Sequence, residues 1–295
     1  AFLGLGGSNT LSPGATFSGA GGFIFLSGGT TVINGGYDIS GSLDVRGGTV
    51  EFSSNENITG DVAVKTGTLR FAQGASITGD VTMTSGTLEF GTASSISGSL
   101  QQSNGTLIAT GDLPVGGSYT QSAGTATGVG TMTVAGLFTW AGGNQGDATY
   151  LGGTTVANGG MVLSGTTTRY FWARTLTLNG PSIWTNGGVY LRDGSILNNN
   201  SSLDIQSDNN MTYIGGAESA LSNTGSITKS ARAGVSKIET DLYNDGTITV
   251  DSGELWLGRA ASVGTSTGDF VANAGTHLGL GGSNTLSPGA TFSGA

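Results

Sequence analysis

With 295 residues the chain can bury a continuous core, yet it has 56 glycines, 4 prolines and no cysteine, which excludes disulfides, thiol chemistry and thiolate metal sites. Charged residues are 10% of the total against about 25% in an ordinary globular domain, so the surface is mostly Ser, Thr, Asn, Gln and Gly. The formal net charge is −9 and the ten Lys and Arg are scattered singly, leaving no basic stripe; nucleic acid is not expected as a partner, nor membrane insertion, since no apolar run nears the ~20 residues of a span.

The chain opens on "AFLGLGGSNT", which has neither the basic start nor the apolar core of a signal peptide, so an export signal is expected elsewhere. Residues 3–20, "LGLGGSNTLSPGATFSGA", return letter for letter at 278–295, an offset of 275 residues. The expected organisation is therefore one 275-residue repeat plus the beginning of the next copy, a window on a tandem array.

From about 20 to 145 the chain repeats every nineteen residues: "ITGDVAVKTGTLRFAQGAS" at 58–76 is followed by "ITGDVTMTSGTLEFGTASS" at 77–95. Ile39, Ile58, Ile77, Ile96, Val115 and Val134 share this step. So do two glycine columns, Gly22, Gly41, Gly60, Gly79, Gly98, Gly117 and Gly136, and Gly29, Gly48, Gly67, Gly86, Gly105, Gly124 and Gly143. Between them apolar residues alternate with period two, as in Leu43, Val45, Val50 and Phe52, the mark of strands with one buried face. Each rung reads as two or three short strands with glycine at the corners, where positive φ or close backbone approach is needed.

A rung this short cannot bury its apolar side alone, but stacking on the next rung, about 4.8 Å away, gives a continuous core. The predicted fold is all-β: a single-stranded parallel β-solenoid, or β-helix, with rungs of about 19–24 residues and right-handed by the preference of parallel crossovers. Thr30, Thr49, Thr68, Thr87, Thr106 and Thr125 should align as a threonine ladder, beside Glu51, Arg70 and Glu89, which alternate in sign on successive rungs. Gln102 and Gln121 fall on inward positions, followed in the same column by Trp140, and are expected to form an amide ladder along the stack.

From about 146 to 275 the rungs continue less regularly, although "GGTTVINGG" at 28–36 returns as "GGTTVANGG" at 152–160. "LNNNSSLDI", "LSNTGSITK" and "LYNDGTITV" begin at Leu197, Leu221 and Leu242 and align Asn199, Asn223 and Asn244, suited to turns or to an asparagine ladder. The whole chain is expected to be one continuous solenoid segment. At about 4.8 Å per rung, a repeat of roughly 14 rungs advances about 65 Å.

"GLFTWAGG" at 136–143, "LYNDGTITVDSGELWLG" at 242–258 and the junction "GDFVANAGTHLGLGGSNTLSPGATFSGA" from residue 268 resemble the long tandem repeats of giant bacterial surface proteins. They are similar to the β-solenoids of autotransporter passengers and filamentous-haemagglutinin-type adhesins. The resemblance implies export to the extracellular space or cell surface, a right-handed β-solenoid and a role in surface fibres or attachment. It brings no catalytic residues.

The residues themselves offer little chemistry. The one histidine, His277, is matched by Phe2 in the other copy, so a Ser-His-Asp arrangement is not supported and no catalytic residue is predicted. Asp204 with Asp208, and Asp241 and Asp245 with Asp251, sit among Asn and Gly as turn residues rather than as paired acids for glycoside hydrolysis. No cofactor or metal site is expected beyond weak, opportunistic calcium binding by such oxygens, because the acidic nonapeptide of calcium-binding β-rolls is absent. Asn57, Asn104, Asn199, Asn200 and Asn210 open Asn-x-Ser/Thr triplets and read as turn and ladder residues.

The leading expectation is a non-enzymatic structural repeat of an extracellular filament or giant surface fibre, stacked end to end on further copies of itself and adhesive to surface glycans or a substratum. The alternative is a polysaccharide-binding or polysaccharide-cleaving β-helix, suggested by Tyr170, Phe171, Trp172, Trp184 and Tyr190. An ice-binding Thr-x-Thr array is not sustained, since Thr82 and Thr84 give way to Ala63 and Lys65, and to Gln101 and Ser103, on neighbouring rungs.

Overall fold

A computed structural model describes residues 2–294. Among them there are strands, turns and bends but no helix, and the paired strands run parallel. The chain is a β-solenoid of about 15 turns counted over two compact units, Ala1–Gly136 and Leu137–Ala295.

In the first unit each rung has three short faces, illustrated by the strand Leu43–Phe52, which bends at Gly48 (φ 66°), and by Glu56–Ile58. The next rung repeats this as Val62–Phe71 and Ala75–Ile77. Between these rungs Leu43 pairs with Val62, Phe52 with Phe71 and Ile58 with Ile77, nineteen residues apart, with a bulge that pairs Arg46 with Thr66; the step expected from about residue 20 is longer at the start, where Phe23 pairs with Leu43 and Phe2 with Gly22. That register follows from the period-two pattern, because a slip by one residue would turn every buried side chain outward. Phe52, Phe71 and Phe90 consequently stack face to face, with centroids 5.1 and 5.5 Å apart, and are fully buried. The Ile39–Ile58–Ile77–Ile96–Val115–Val134 column lies in the core, none of its members more than 6% exposed.

The second unit keeps three strands per rung but changes its step. Thr154–Ala157, Thr175–Leu178, Ile196–Asn199, Ala220–Asn223 and Asp241–Asn244 form one row, with Thr175 paired to Ile196 and Ile196 to Ala220. The variation is taken up in the corners: residues 164–168, 185–188 and 206–210 link successive pairs of strands along a second edge. Strand lengths change little while corner lengths vary, as expected when register is held by burial and corners face solvent.

Candidate functional site

The two glycine columns are needed for different reasons. Gly48, Gly67, Gly86, Gly105, Gly124 and Gly143 all have positive φ, between 66° and 84°, a conformation that other residues adopt at a cost. Gly41, Gly60, Gly79, Gly98, Gly117 and Gly136 do not; there a Cβ would run into the preceding rung, for example 2.2 Å from the Gly41 carbonyl oxygen at Gly60 and 2.4 Å from Asp80 Oδ1 at Gly98. One column turns the chain and the other lets rungs approach; at the first step the columns break, since Gly41 lies against Gly21 rather than beside Gly22 and Gly29 lacks the positive φ of its column.

The outward threonines stand in register, Thr30 with Thr49, Thr49 with Thr68, Thr68 with Thr87, Thr87 with Thr106 and Thr106 with Thr125. Beside them Arg70 is bracketed by Glu89 at 3.2 Å and Glu51 at 3.3 Å. Glu89, then Glu51, hold its guanidinium charged above the ordinary range, against the partial burial that opposes it.

Gln102 and Gln121 are fully buried, and Gln102 uses its amide differently from the ladder expected of it. Gln102 Nε2 donates to the carbonyls of Gly105 and Thr125, each at 3.0 Å, while its Oε1 accepts from the Tyr119 hydroxyl at 2.6 Å. Gln121 Nε2 reaches Gly124 O at 3.4 Å. The same inward position carries tryptophans elsewhere: Trp140 Nε1 donates to Gly143 O at 3.1 Å and Trp184 Nε1 to Gly187 O at 2.9 Å. The corner carbonyl turns inward and needs a donor, and a Gln or Trp three residues earlier supplies it.

Asn199, Asn223 and Asn244 do form a buried amide ladder. Asn199 Nδ2 donates to Asn223 Oδ1, and Asn223 Nδ2 to Asn244 Oδ1, both at 2.7 Å. None has positive φ.

The repeated eighteen residues form the same three strands twice. In the first unit Phe2–Gly6, Asn9–Leu11 and Thr16–Gly19 pair with the strands that follow them, Gly22–Ser27, Thr30–Ile33 and Gly36–Ile39. In the second, His277–Leu280, Ser283–Leu286 and Thr291–Gly294 pair with the strands that precede them, Glu254–Leu257, Val263–Ser266 and Asp269–Ala272. Local detail is kept: Asn9 Nδ2 bonds Gly6 O at 3.0 Å and Asn284 Nδ2 bonds Gly281 O at 2.9 Å. This rung therefore accepts a neighbour on either side.

The acidic residues brace adjacent rungs. Asp204 accepts from Ser230 and Gln206, Asp241 from the Val263 N–H, Asp245 from Thr267 and Asp251 from Asn273. Among the described residues no group of three or more His, Asp or Glu is placed to hold a metal ion. His277 is exposed at the start of its strand.

Sequence reasoning missed several buried charges. Lys229 is fully buried, its Nζ held by Asp208 Oδ1 at 2.9 Å and by the carbonyls of Ser207, Ala231 and Arg232. Arg169, 1% exposed, donates to the carbonyls of Trp140, Ser164 and Thr167, and burial lowers its pKa to about 10. Glu56 is 8% exposed, and burial raises its pKa despite a 2.9 Å hydrogen bond from Ser54. The signal for Lys229 was present: "SITK" aligns with "TITV", placing a lysine where the neighbouring rung has Val250.

Comparison with protein-family models, with curated proteins and with solved structures gives no match.

Proposed function

We propose that the chain is a structural repeat of an extracellular filament or giant cell-surface fibre, in which 275-residue repeats stack end to end and the fibre serves attachment rather than catalysis. The observation that carries this reading is the duplicated rung: identical residues at 3–20 and 278–295 take a neighbour after them in one copy and before them in the other. The sequence resemblance to giant bacterial surface proteins supports the same setting, as does a surface poor in charge and rich in Thr and Asn.

Cryo-electron microscopy of the native material tests it. The expected result is density that continues past residue 294 into another copy of the repeat, in layers about 4.8 Å apart. A discrete molecule whose terminal rungs are capped by a different segment overturns the proposal.

A further inference from the structure

Apart from the duplicated rung, the second unit carries a surface that the fibre reading leaves unexplained. Three consecutive corners along one edge differ in build: residues 164–168 and 206–210 are five residues long, whereas 185–188 has four. An open cleft of about 260 Å³ lies along these corners, with Gly188 of the shorter one in its lining. Gly188 is its floor: a Cβ there would lie 3.4 Å from Asn210 O and 3.5 Å from Thr168 Oγ1, on the two opposite sides. Thr166 and Thr168 line one wall and Asp208, Asn209 and Asn210 the other, with Val189, Tyr190 and Thr212 also in the lining.

The walls are held from inside. Arg169 grips the carbonyls of Ser164 and Thr167 behind the threonine wall, and Lys229 grips Ser207 O and Asp208 Oδ1 behind the asparagine wall. The Lys229 ammonium compensates the Asp208 carboxylate, so the cleft presents no uncompensated charge. Polar capacity is left over. Asn209 donates to Asn186 and Ser207, and Asn210 Oδ1 accepts from the Lys237 N–H, while no described residue takes Asn209 Oδ1 or Asn210 Nδ2. Beside the cleft Tyr190 and Tyr170, each 37% exposed, stand on successive rungs with ring centroids 5.5 Å apart, and Trp172 lies 6.3 Å from Tyr170 with Arg192 over its ring.

We infer that this cleft binds a neutral saccharide. A sugar ring offers an apolar C–H face for Tyr190 and hydroxyls, each both donor and acceptor, for Asn209 Oδ1, Asn210 Nδ2 and the threonine hydroxyls. A charged ligand would find no opposing charge, and a wholly apolar one would leave the amides desolvated and unpaired. The aromatic row running from rung to rung extends the contact from one sugar to its neighbours in a chain. This site stands on the second unit's own corners and does not depend on tandem stacking.

Affinity electrophoresis of the full chain through gels containing dextran, hydroxyethyl cellulose or galactomannan tests the inference, with binding constants taken from retardation against polysaccharide concentration. Retardation by at least one of them is expected, with Tyr190→Ala weakening it by about ten-fold through loss of the stacking face. Gly188→Leu, which fills the floor, should do the same, and Tyr243→Ala, an exposed tyrosine on another strand, should leave retardation unchanged. Circular dichroism of each variant confirms that the strands are retained, and Gly188→Ala serves as the milder variant if the leucine misfolds. No retardation by any of the three polysaccharides, or retardation that Tyr190→Ala and the Gly188 variants leave unaltered, overturns the assignment.

Discussion

At the scale of the residue, several of the charged and polar side chains inside the solenoid serve backbone carbonyls, as Lys229, Arg169 and Gln102 do. Glu56 does not: its side chain bonds Ser54, and its charge acts on the buried Tyr37 hydroxyl, which has no hydrogen-bond partner among the described residues. Burial, then the charge of Glu56, raises the Tyr37 pKa, and burial raises that of Glu56 itself. A carboxyl whose pKa is higher in the folded chain than in the unfolded one binds its proton more tightly when folded, so it weakens the fold as pH rises above the unfolded value, near 4.3. Glu56→Gln should therefore raise the melting temperature at pH 7 and lose that advantage as pH falls below about 4. Melting curves of both proteins between pH 3 and 8 check this; an equal difference at every pH would show that ionisation is not the cause. Glycine roles were legible because both columns recur at a fixed step. The donors at Gln102, Gln121, Trp140 and Trp184 were legible only in hindsight, as Gln or Trp three residues before a glycine, because the need for a donor appears once the corner carbonyl is known to turn inward.

At the scale of the element, strands were readable from alternation and corners from glycine, and from Leu43 to Val134 most of the register follows the nineteen-residue period, whereas most pairings of the first rungs step by 20–22 residues. What alternation could not reveal is how inward polar residues are paired, since Asn199 and Gln102 occupy similar inward positions and only the first kind makes amide-to-amide bonds. Each donating asparagine amide meets the amide of the next rung as well as nearby carbonyls such as Ser226 O, whereas Gln102 spends its amide on the Gly105 and Thr125 carbonyls and the Tyr119 hydroxyl. The asparagine ladder behaves as one element. Asn223→Leu alone removes one acceptor and one donor from the middle, leaving Asn244 Oδ1 without its partner, and should cost about 2–4 kcal/mol. Replacing Asn199, Asn223 and Asn244 together by leucine removes the polar groups on both sides of the two amide-to-amide bonds, while the Ser226, Thr247 and Asp269 carbonyls lose a donor in the singles and the triple alike. The column is flanked by Leu178, which pairs with Asn199, so leucine suits its surroundings. The triple variant should be less destabilised than the sum of the singles, since paired removal is nearly neutral where single removal is not. Urea unfolding of the three singles and the triple measures this, and strict additivity would show that the amides act independently.

At the scale of the whole molecule, stability in a stack of rungs is a sum of rung terms and nearest-neighbour terms, so the terminal rungs are the weakest part. Leu286 and Phe292 on the last rung are 46% and 56% exposed, although their counterparts in the identical first rung, Leu11 and Phe17, are half-buried because a rung follows them. Phe17 packs 4.7 Å from Phe23, a contact that Phe292 would regain if residue 294 were followed by the residues that follow 19. Two fusions separate this local effect from mere length. In one, residues 1–295 continue directly into 21–295, so the duplicated rung is shared; in the other, two complete chains are joined by a flexible Gly-Ser linker. The shared rung gains neighbours on both sides, and covering two half-exposed large apolar side chains contributes on the order of 2 kcal/mol. Hydrogen exchange at residues 277–294 of the first copy should consequently slow in the shared-rung fusion to the level of residues 22–39, and remain fast in the linked one. Equal exchange in the two fusions would mean that the identical rung does not recognise its own successor, and the tandem arrangement would then have to rest on contacts outside these eighteen residues.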